Sequence, residues 1–201
     1  RTDGKDAGKT IVFGDNEQTE TEEDLVVEDA SFPHKWLSPI AKVLQETGGS
    51  TKGFMTTSQS YAGDQPMRGR MRSNLYRARG AALSMIPTST GAAKAVGLVL
   101  PELYGKLDGV AIRVPTPNVS VVDLTFEASK ATSVAEINAA IKAAADGPLK
   151  GVLAYTDACL VSTDFNHDPH SSIFHMDQTK VLDGNMVRIL SWYDNEWGFS
   201  N

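Results

Sequence analysis

The sequence predicts an α+β fold: a mixed, mainly antiparallel sheet with helices on one face. Three observations carry this. Short β-branched and aromatic runs ended by turn residues recur along the chain. Helical apolar stripes are confined to a few segments. Asp183-Gly184, set between Thr179-Lys180-Val181-Leu182 and Met186-Val187-Arg188-Ile189-Leu190, is a hairpin signal and so an antiparallel pair.

In chain order, Lys9-Thr10-Ile11-Val12-Phe13 reads as a strand ended by Gly14, and residues 16–24 as a solvated acidic loop. Leu25-Val26-Val27 is a second short strand. A helix follows, with Ser31 as N-cap and Pro33 in the first turn, where its missing N–H costs nothing. Leu37, Ile40, Val43 and Leu44 form its stripe, Pro39 should kink it early, and Gly48-Gly49 ends it. Residues 53–61 return as a strand. Residues 62–76 have no period and read as a long irregular segment. A second helix is expected from Thr90-Gly91 to Pro101. Residues 109–127 hold two strands, with Ile112 and Val114 opposite Arg113 in the first, and Leu124 and Phe126 opposite Asp123 and Thr125 in the second. The third helix carries the clearest signals. Ser133 and Glu136 have capping-box spacing, Val134, Ile137, Ile141 and Ala144 share a face, and Gly147-Pro148 stops it.

Bulk properties narrow the function. The 201 residues suffice for one large domain, or a domain plus a fragment. A hydrophobic fraction of 41% fits a globular core, and no apolar run is long enough for a membrane span. The net charge of −6 gives no long-range attraction to nucleic acid. A single cysteine, Cys159, precludes an intrachain disulfide and suits a reducing, cytoplasmic setting. The N-terminus is polar, has no signal peptide and does not begin with Met, so the chain is expected to start partway into a longer protein or to be trimmed.

Three stretches are more specific: Pro87-Thr88-Ser89-Thr90-Gly91-Ala92-Ala93-Lys94-Ala95-Val96, Arg113-Val114-Pro115-Thr116-Pro117-Asn118-Val119-Ser120-Val121-Val122-Asp123, and Ser191-Trp192-Tyr193-Asp194-Asn195-Glu196-Trp197-Gly198-Phe199-Ser200. Through them the chain resembles the glyceraldehyde-3-phosphate dehydrogenase family from Lys9 to Asn201. The resemblance implies residues 31–201 as the catalytic, phosphate-binding domain and residues 1–30 as a remnant of a nucleotide-binding α/β domain. No Gly-x-Gly-x-x-Gly motif is present. It also implies NAD as cofactor, a phosphorylated aldehyde and inorganic phosphate as ligands, and a homo-oligomer joined through the sheet.

The same resemblance assigns site residues. Arg113 would bind the substrate phosphate beside Asp64. Arg77, with Thr90 and the backbone of Gly91, would bind a second phosphate, and Ser31 matches a phosphate-contacting serine. Asn195 would hold the nicotinamide amide. These types suit anions: Arg offers a planar fork of donors, and a helix N-terminus offers free N–H groups.

The nucleophile segment departs from the family. Where its pattern has Ala-Ser-Cys-Thr-Thr-Asn-Cys-Leu, this chain has Ala30-Ser31-Phe32-Pro33-His34-Lys35-Trp36-Leu37. Where it has Thr-Thr-Ile-His-Ser-Tyr-Thr, this chain has Thr56-Thr57-Ser58-Gln59-Ser60-Tyr61-Ala62. Phe32 thus stands at the nucleophilic cysteine, Gln59 at the histidine base and Ala62 at a phosphate-binding threonine. The loop at 66–74, which in the family faces a neighbouring subunit's cofactor, also differs. Phe has no lone pair to attack an aldehyde, and Gln is no base at neutral pH. The expected outcome is loss of aldehyde oxidation to acyl phosphate. Two alternatives remain: a phosphate-binding or scaffold module, or a redesigned site using Lys35 as an amine catalyst.

Other clusters have plainer readings. His167, His170 and His175 with Asp164 and Asp168 could suit a metal but read as a structural loop. Arg68, Arg70, Arg72 and Arg79 read as a solvated loop beside Arg77. Lys35 reads as solvated, Trp36 as a cover over helix surface, and Cys159 as buried or half-buried.

Overall fold

The computed structural model describes residues 9–11, 27–29, 32–91, 96–97 and 100–200; residues 9–11, 27–29, 32–35 and 199 are described by backbone alone. The elements are β1 (Lys9–Ile11), β2 (Val27–Asp29), α1 (Phe32–Gly48), β3 (Ser50–Ser60), β4 (Ile86–Ser89), β5 (Leu107–Val114), β6 (Ser120–Ala128), α2 (Val134–Asp146), β7 (Leu153–Thr156), β8 (Ser172–His175), β9 (Lys180–Leu182), β10 (Met186–Tyr193) and a terminal turn α3 (Trp197–Ser200).

β1 and β2 form a separate parallel pair. The remaining strands make one eight-stranded sheet in the order β4-β5-β3-β6-β10-β8-β7, with β9 on β10. Only β3–β5 and β7–β8 pair in parallel; the other pairings are antiparallel, as expected.

Burial alternates strictly along β6, so Val122, Leu124 and Phe126 are buried while Asp123 and Thr125 stand on the other side. The buried side meets α1 and α2. Leu37, Ile40, Val43 and Leu44 from α1 and Ile137, Ile141 and Ala144 from α2 join Met55, Leu124, Phe126, Val187 and Ile189 in one core. Burying such side chains contributes roughly 1.5–3 kcal/mol each. The opposite side exposes Phe54 and Val110 and carries a bidentate ion pair: Arg188 Nε and Nη2 donate to Asp123 at 2.9 and 2.7 Å.

Local signals act as the sequence predicts in several places. Ser133 Oγ accepts from the Glu136 amide at 3.2 Å and so caps α2, while the Glu136 carboxylate accepts from the Thr132 and Ser133 hydroxyls rather than from the Ser133 amide. Gly49, at φ +66°, takes the left-handed position after α1. Asp183 and Gly184, at φ +52° and +77°, form a turn closed by the Asn185 amide on Leu182 O, the doubly left-handed geometry that matches strand twist.

Other expectations change. α1 continues through Pro39, because Trp36, Leu37 and Ile40 anchor both sides of it in the core. Val134 is exposed, although Ile137, Ile141 and Ala144 of the same stripe are buried. β4 has no counterpart among the expected elements; a strand begun at Ile86-Pro87 has too little alternation to stand out, and Pro87 is tolerated because β4 is an edge strand. The helix expected from Thr90-Gly91 falls largely outside the described residues; Val96 and Gly97 are helical. Ser31 also lies outside them. Among the described residues no helix is long and apolar enough to cross a membrane.

Candidate functional site

Four strands end side by side where the core opens. Register sets their core-facing residues in three levels. Gly109, Met55, Leu124 and Ile189 form the innermost, Ala111, Thr57, Val122 and Ser191 the next, and Arg113, Gln59, Ser120 and Tyr193 the outermost. Polarity rises level by level. A cavity of about 490 Å³ opens here, walled by Trp36 and Leu37 of α1, Met55, Thr57 and Gln59 of β3, and Ser120, Val122 and Tyr193. Ser60, Ala62, Asp64, Arg113 and Asn195 complete its lining.

Two guanidinium groups share one carboxylate at the mouth. Arg77 Nη1 donates to Asp64 Oδ2 at 3.1 Å, and Arg113 Nη1 lies 3.6 Å from Asp64 Oδ1. Arg77 Nη2 also reaches Thr88 Oγ1 at 3.3 Å, and Arg113 Nη1 reaches Gln65 Oε1 at 3.3 Å. Arg72, expected as a solvated loop residue, is half-buried and donates to the Asp64 backbone carbonyl. Burial draws Arg113 below its ordinary pKa, Asp64 pulls it back up, and Arg77 adds to the drop. It remains a cation at neutral pH. Two cations and one anion leave a net positive mouth. The Nε atoms of both arginines, and Gln65 Nε2, are buried without partners.

Asn195 is held by its oxygen. Ser60 Oγ donates to Oδ1 at 2.7 Å and Ser120 Oγ at 3.0 Å, while the Ser60 amide donates to Ser120 Oγ. The side-chain nitrogen therefore keeps its protons for an acceptor. The preceding Asp194 fixes its backbone. Asp194 accepts from the amides of His167, Glu196 and Trp197 and from Asn118 Nδ2, all at 2.8–2.9 Å. Burial alone would raise its pKa, but these bonds outweigh burial and hold it below the ordinary value. Tyr193 is pushed well up by burial, against the opposing effects of its bond to Ser120 and the nearby Arg113 charge.

The structure thus brings together Asp64, Arg77, Arg113, Gln59 and Asn195. Thr90 and Gly91 follow β4 in sequence, and Arg77 bonds Thr88 within that strand. Phe32 begins α1; its side chain, like that of Lys35, lies outside the described residues. Trp36 is a correction: it is only 6% exposed and stacks on Tyr193, ring centroids 3.8 Å apart, because α1 turns this face onto the sheet. Cys159 is also a correction. It is exposed, since it falls in the loop after β7 rather than in a strand. The histidines have local partners. His170 Nδ1 lies 2.6 Å from Asp168, and His175 sits between Ala158 O and the Trp192 indole N–H. Sequence reasoning missed Thr57, Ser60, Gln65 and Ser120. Alternation along β3 from Met55 placed Thr57 on the core face, and that was the available signal.

The fold and site together define the class: a two-layer α+β domain with a pocket at its strand ends and a braced guanidinium pair at the mouth. The chain belongs to the family of the glyceraldehyde 3-phosphate dehydrogenase C-terminal domain, which matches residues 35–195. It is similar to glyceraldehyde-3-phosphate dehydrogenase of Cereibacter sphaeroides, with 71% identity over 97% of this chain and 59% of the relative. The corresponding protein of Xanthobacter flavus is 64% identical over 99% and 59%. That of Zymomonas mobilis is 53% identical over 98% and 58%. The chain therefore spans under two thirds of the length of these relatives.

Proposed function

We propose that this chain is the phosphate-binding half of a glyceraldehyde-3-phosphate dehydrogenase-like protein in which the covalent step has been lost. The observation that carries this is the guanidinium pair braced on Asp64, set on the same level as Gln59. In β3–β5 register Gln59 is the direct neighbour of Arg113. In this reading the anion-binding groups are kept, and the position that would hold the base carries an amide. A neutral amide cannot accept a proton at pH 7, and Phe32 offers no nucleophile. Arg113, Arg77 and Asp64, with Thr90, Gly91 and Ser31, form the phosphate-recognising set in this reading. Asn195 orients the nicotinamide of NAD, whose bound form would supply the hydride acceptor.

The parallel pairing of β1 and β2 supports residues 1–30 as the end of a cofactor domain, since parallel pairs are characteristic of α/β units. Self-association goes with the same reading. The open sheet face exposes Phe54 and Val110, and the segment after the site exposes Met67, Met71, Leu75 and Tyr76, apolar surface of the kind that marks interfaces. A soluble cytoplasmic location goes with it too.

The test is a pair of measurements on the purified chain. Inorganic phosphate should raise the melting temperature, and Arg113→Ala and Arg77→Ala should each abolish the rise. Glyceraldehyde 3-phosphate with NAD should give neither NADH nor a covalent adduct by intact mass, whereas Phe32→Cys/Gln59→His should form the adduct. An adduct on the unaltered chain would falsify the loss of the covalent step; no response to phosphate would remove the phosphate reading.

A further inference from the structure

A carboxamide can face a cavity in two ways, and the protons around Asn195 decide between them. Asn195 lines the pocket beside two buried serines, with Oδ1 2.7 Å from Ser60 Oγ and 3.0 Å from Ser120 Oγ. Ser120 Oγ has one proton and two lone pairs. One lone pair takes the Ser60 backbone N–H at 3.0 Å, a group that can only donate. The Tyr193 hydroxyl also bonds Ser120. Its ring is 1% exposed, and burial pushes its pKa well up, so the phenol carries its proton at neutral pH.

With Tyr193 donating, the second lone pair of Ser120 is filled, and its single proton goes to Asn195 Oδ1. The Ser60 hydroxyl donates to the same oxygen, and the NH2 of Asn195 is turned to the cavity. A flipped carboxamide would instead fill that second lone pair with its own N–H. Ser120 could then only donate to Tyr193, and the phenolic proton would lose this acceptor inside the core, a costly change for a buried donor. We propose that Tyr193 is a positioning residue: acting through Ser120, its hydroxyl proton fixes which end of the Asn195 carboxamide the cavity meets. Trp36 holds the ring, stacked at 3.8 Å between centroids. What the NH2 serves rests on the reading of Asn195 as the group that holds a nicotinamide amide, since a donor selects the carbonyl oxygen of such an amide; the orientation itself does not.

Proton–nitrogen correlation spectra of the purified chain read the orientation with no ligand present. Asn195→Asp identifies the Asn195 NH2 signals by their loss. In the unaltered chain they should form a single pair that exchanges freely with water, whereas bonds to the buried hydroxyls would slow that exchange by about tenfold or more. Tyr193→Phe keeps the ring and its stack but removes the proton, so a second, slowly exchanging pair should appear. Ser120→Ala should do the same, and Ser120→Thr, which keeps the hydroxyl, should restore the single open pair. A Tyr193 that served packing alone would leave the pair single in Tyr193→Phe. That result overturns the proposal, as does a protected pair in the unaltered chain. If Tyr193→Phe does not fold, the unaltered chain and the two Ser120 variants decide. Added nicotinamide should shift the open pair; an open pair that it leaves unmoved removes the nicotinamide reading and leaves the role of Tyr193 standing.

Discussion

Asp64 lines the cavity mouth, and Asp194 precedes Asn195, which lines it from the other side; the regions around these two carboxylates are built on opposite terms. Asp194 is fully buried and accepts four hydrogen bonds, three of them from backbone amides. Every donor comes from the chain. Asp64 is 41% exposed and holds two guanidinium groups whose Nε atoms are left without partners. The first region spends its hydrogen-bonding capacity on shape. The second leaves two buried donors unmatched around a carboxylate that is open to solvent.

The largest expected effect comes from removing the satisfied carboxylate. Asp194→Ala leaves buried amides unpaired and should lower unfolding free energy by about 3 kcal/mol in urea titration. A loss below about 1 kcal/mol would mean that water replaces the carboxylate and that the contrast with Asp64 is weaker than drawn.

The pH dependence of that same gap comes next. The folded pKa of Asp194 lies below its unfolded value, so between the two the unfolded chain binds more protons and stability rises with pH. The contribution is fully present above the unfolded value of about 3.9 and disappears as pH falls from there through the folded value. The difference between the unaltered chain and Asp194→Ala should hold constant from pH 7 to 5 and narrow below about pH 4. A constant difference down to pH 3 would remove Asp194 as its source.

Arg113→Ala should have a smaller effect on folding, about 1 kcal/mol without phosphate, because it leaves Asp64 still paired with Arg77. Its effect should emerge as loss of the phosphate-dependent rise in melting temperature. The smallest change is expected for Asp64→Asn. Partly exposed ion pairs contribute little, so urea unfolding should stay within about 1 kcal/mol of the unaltered chain. A larger loss would show that Asp64 serves shape as Asp194 does.

The comparison also explains what could be read from the sequence. Patterns repeated locally were legible: the N-cap at Ser133, the stripe from Leu37 to Leu44, the alternation of β6 and the turn at Asp183-Gly184. Arg113 and Asp64 were legible through the family motifs. Arg72, which bonds the Asp64 backbone, was not, because it reaches that carbonyl from an irregular segment with no periodic signal. Trp36 was misplaced because the nature of a helix's covered face depends on what packs there, here Tyr193 from the far end of the chain. Cys159 was misplaced by a general tendency of cysteine that a loop position overrides. Ser60 and Ser120 came together only through the β3–β6 pairing, a long-range fact that neither segment contains.

The three-level register has one more consequence. Met55, Thr57 and Gln59 alternate on a single strand, so the same two-residue repeat that buries the core also positions the pocket. A slip of one residue would turn all of them to the opposite face together. The binding groups therefore cannot rearrange while the interior stays intact. The amides of β3 should be among the slowest in the molecule to exchange with solvent deuterium, opening only when the domain unfolds as a whole. The β3 wall of the pocket is thus set on the least yielding part of the chain, while Asp64 and Arg77 lie in the irregular segment that follows it.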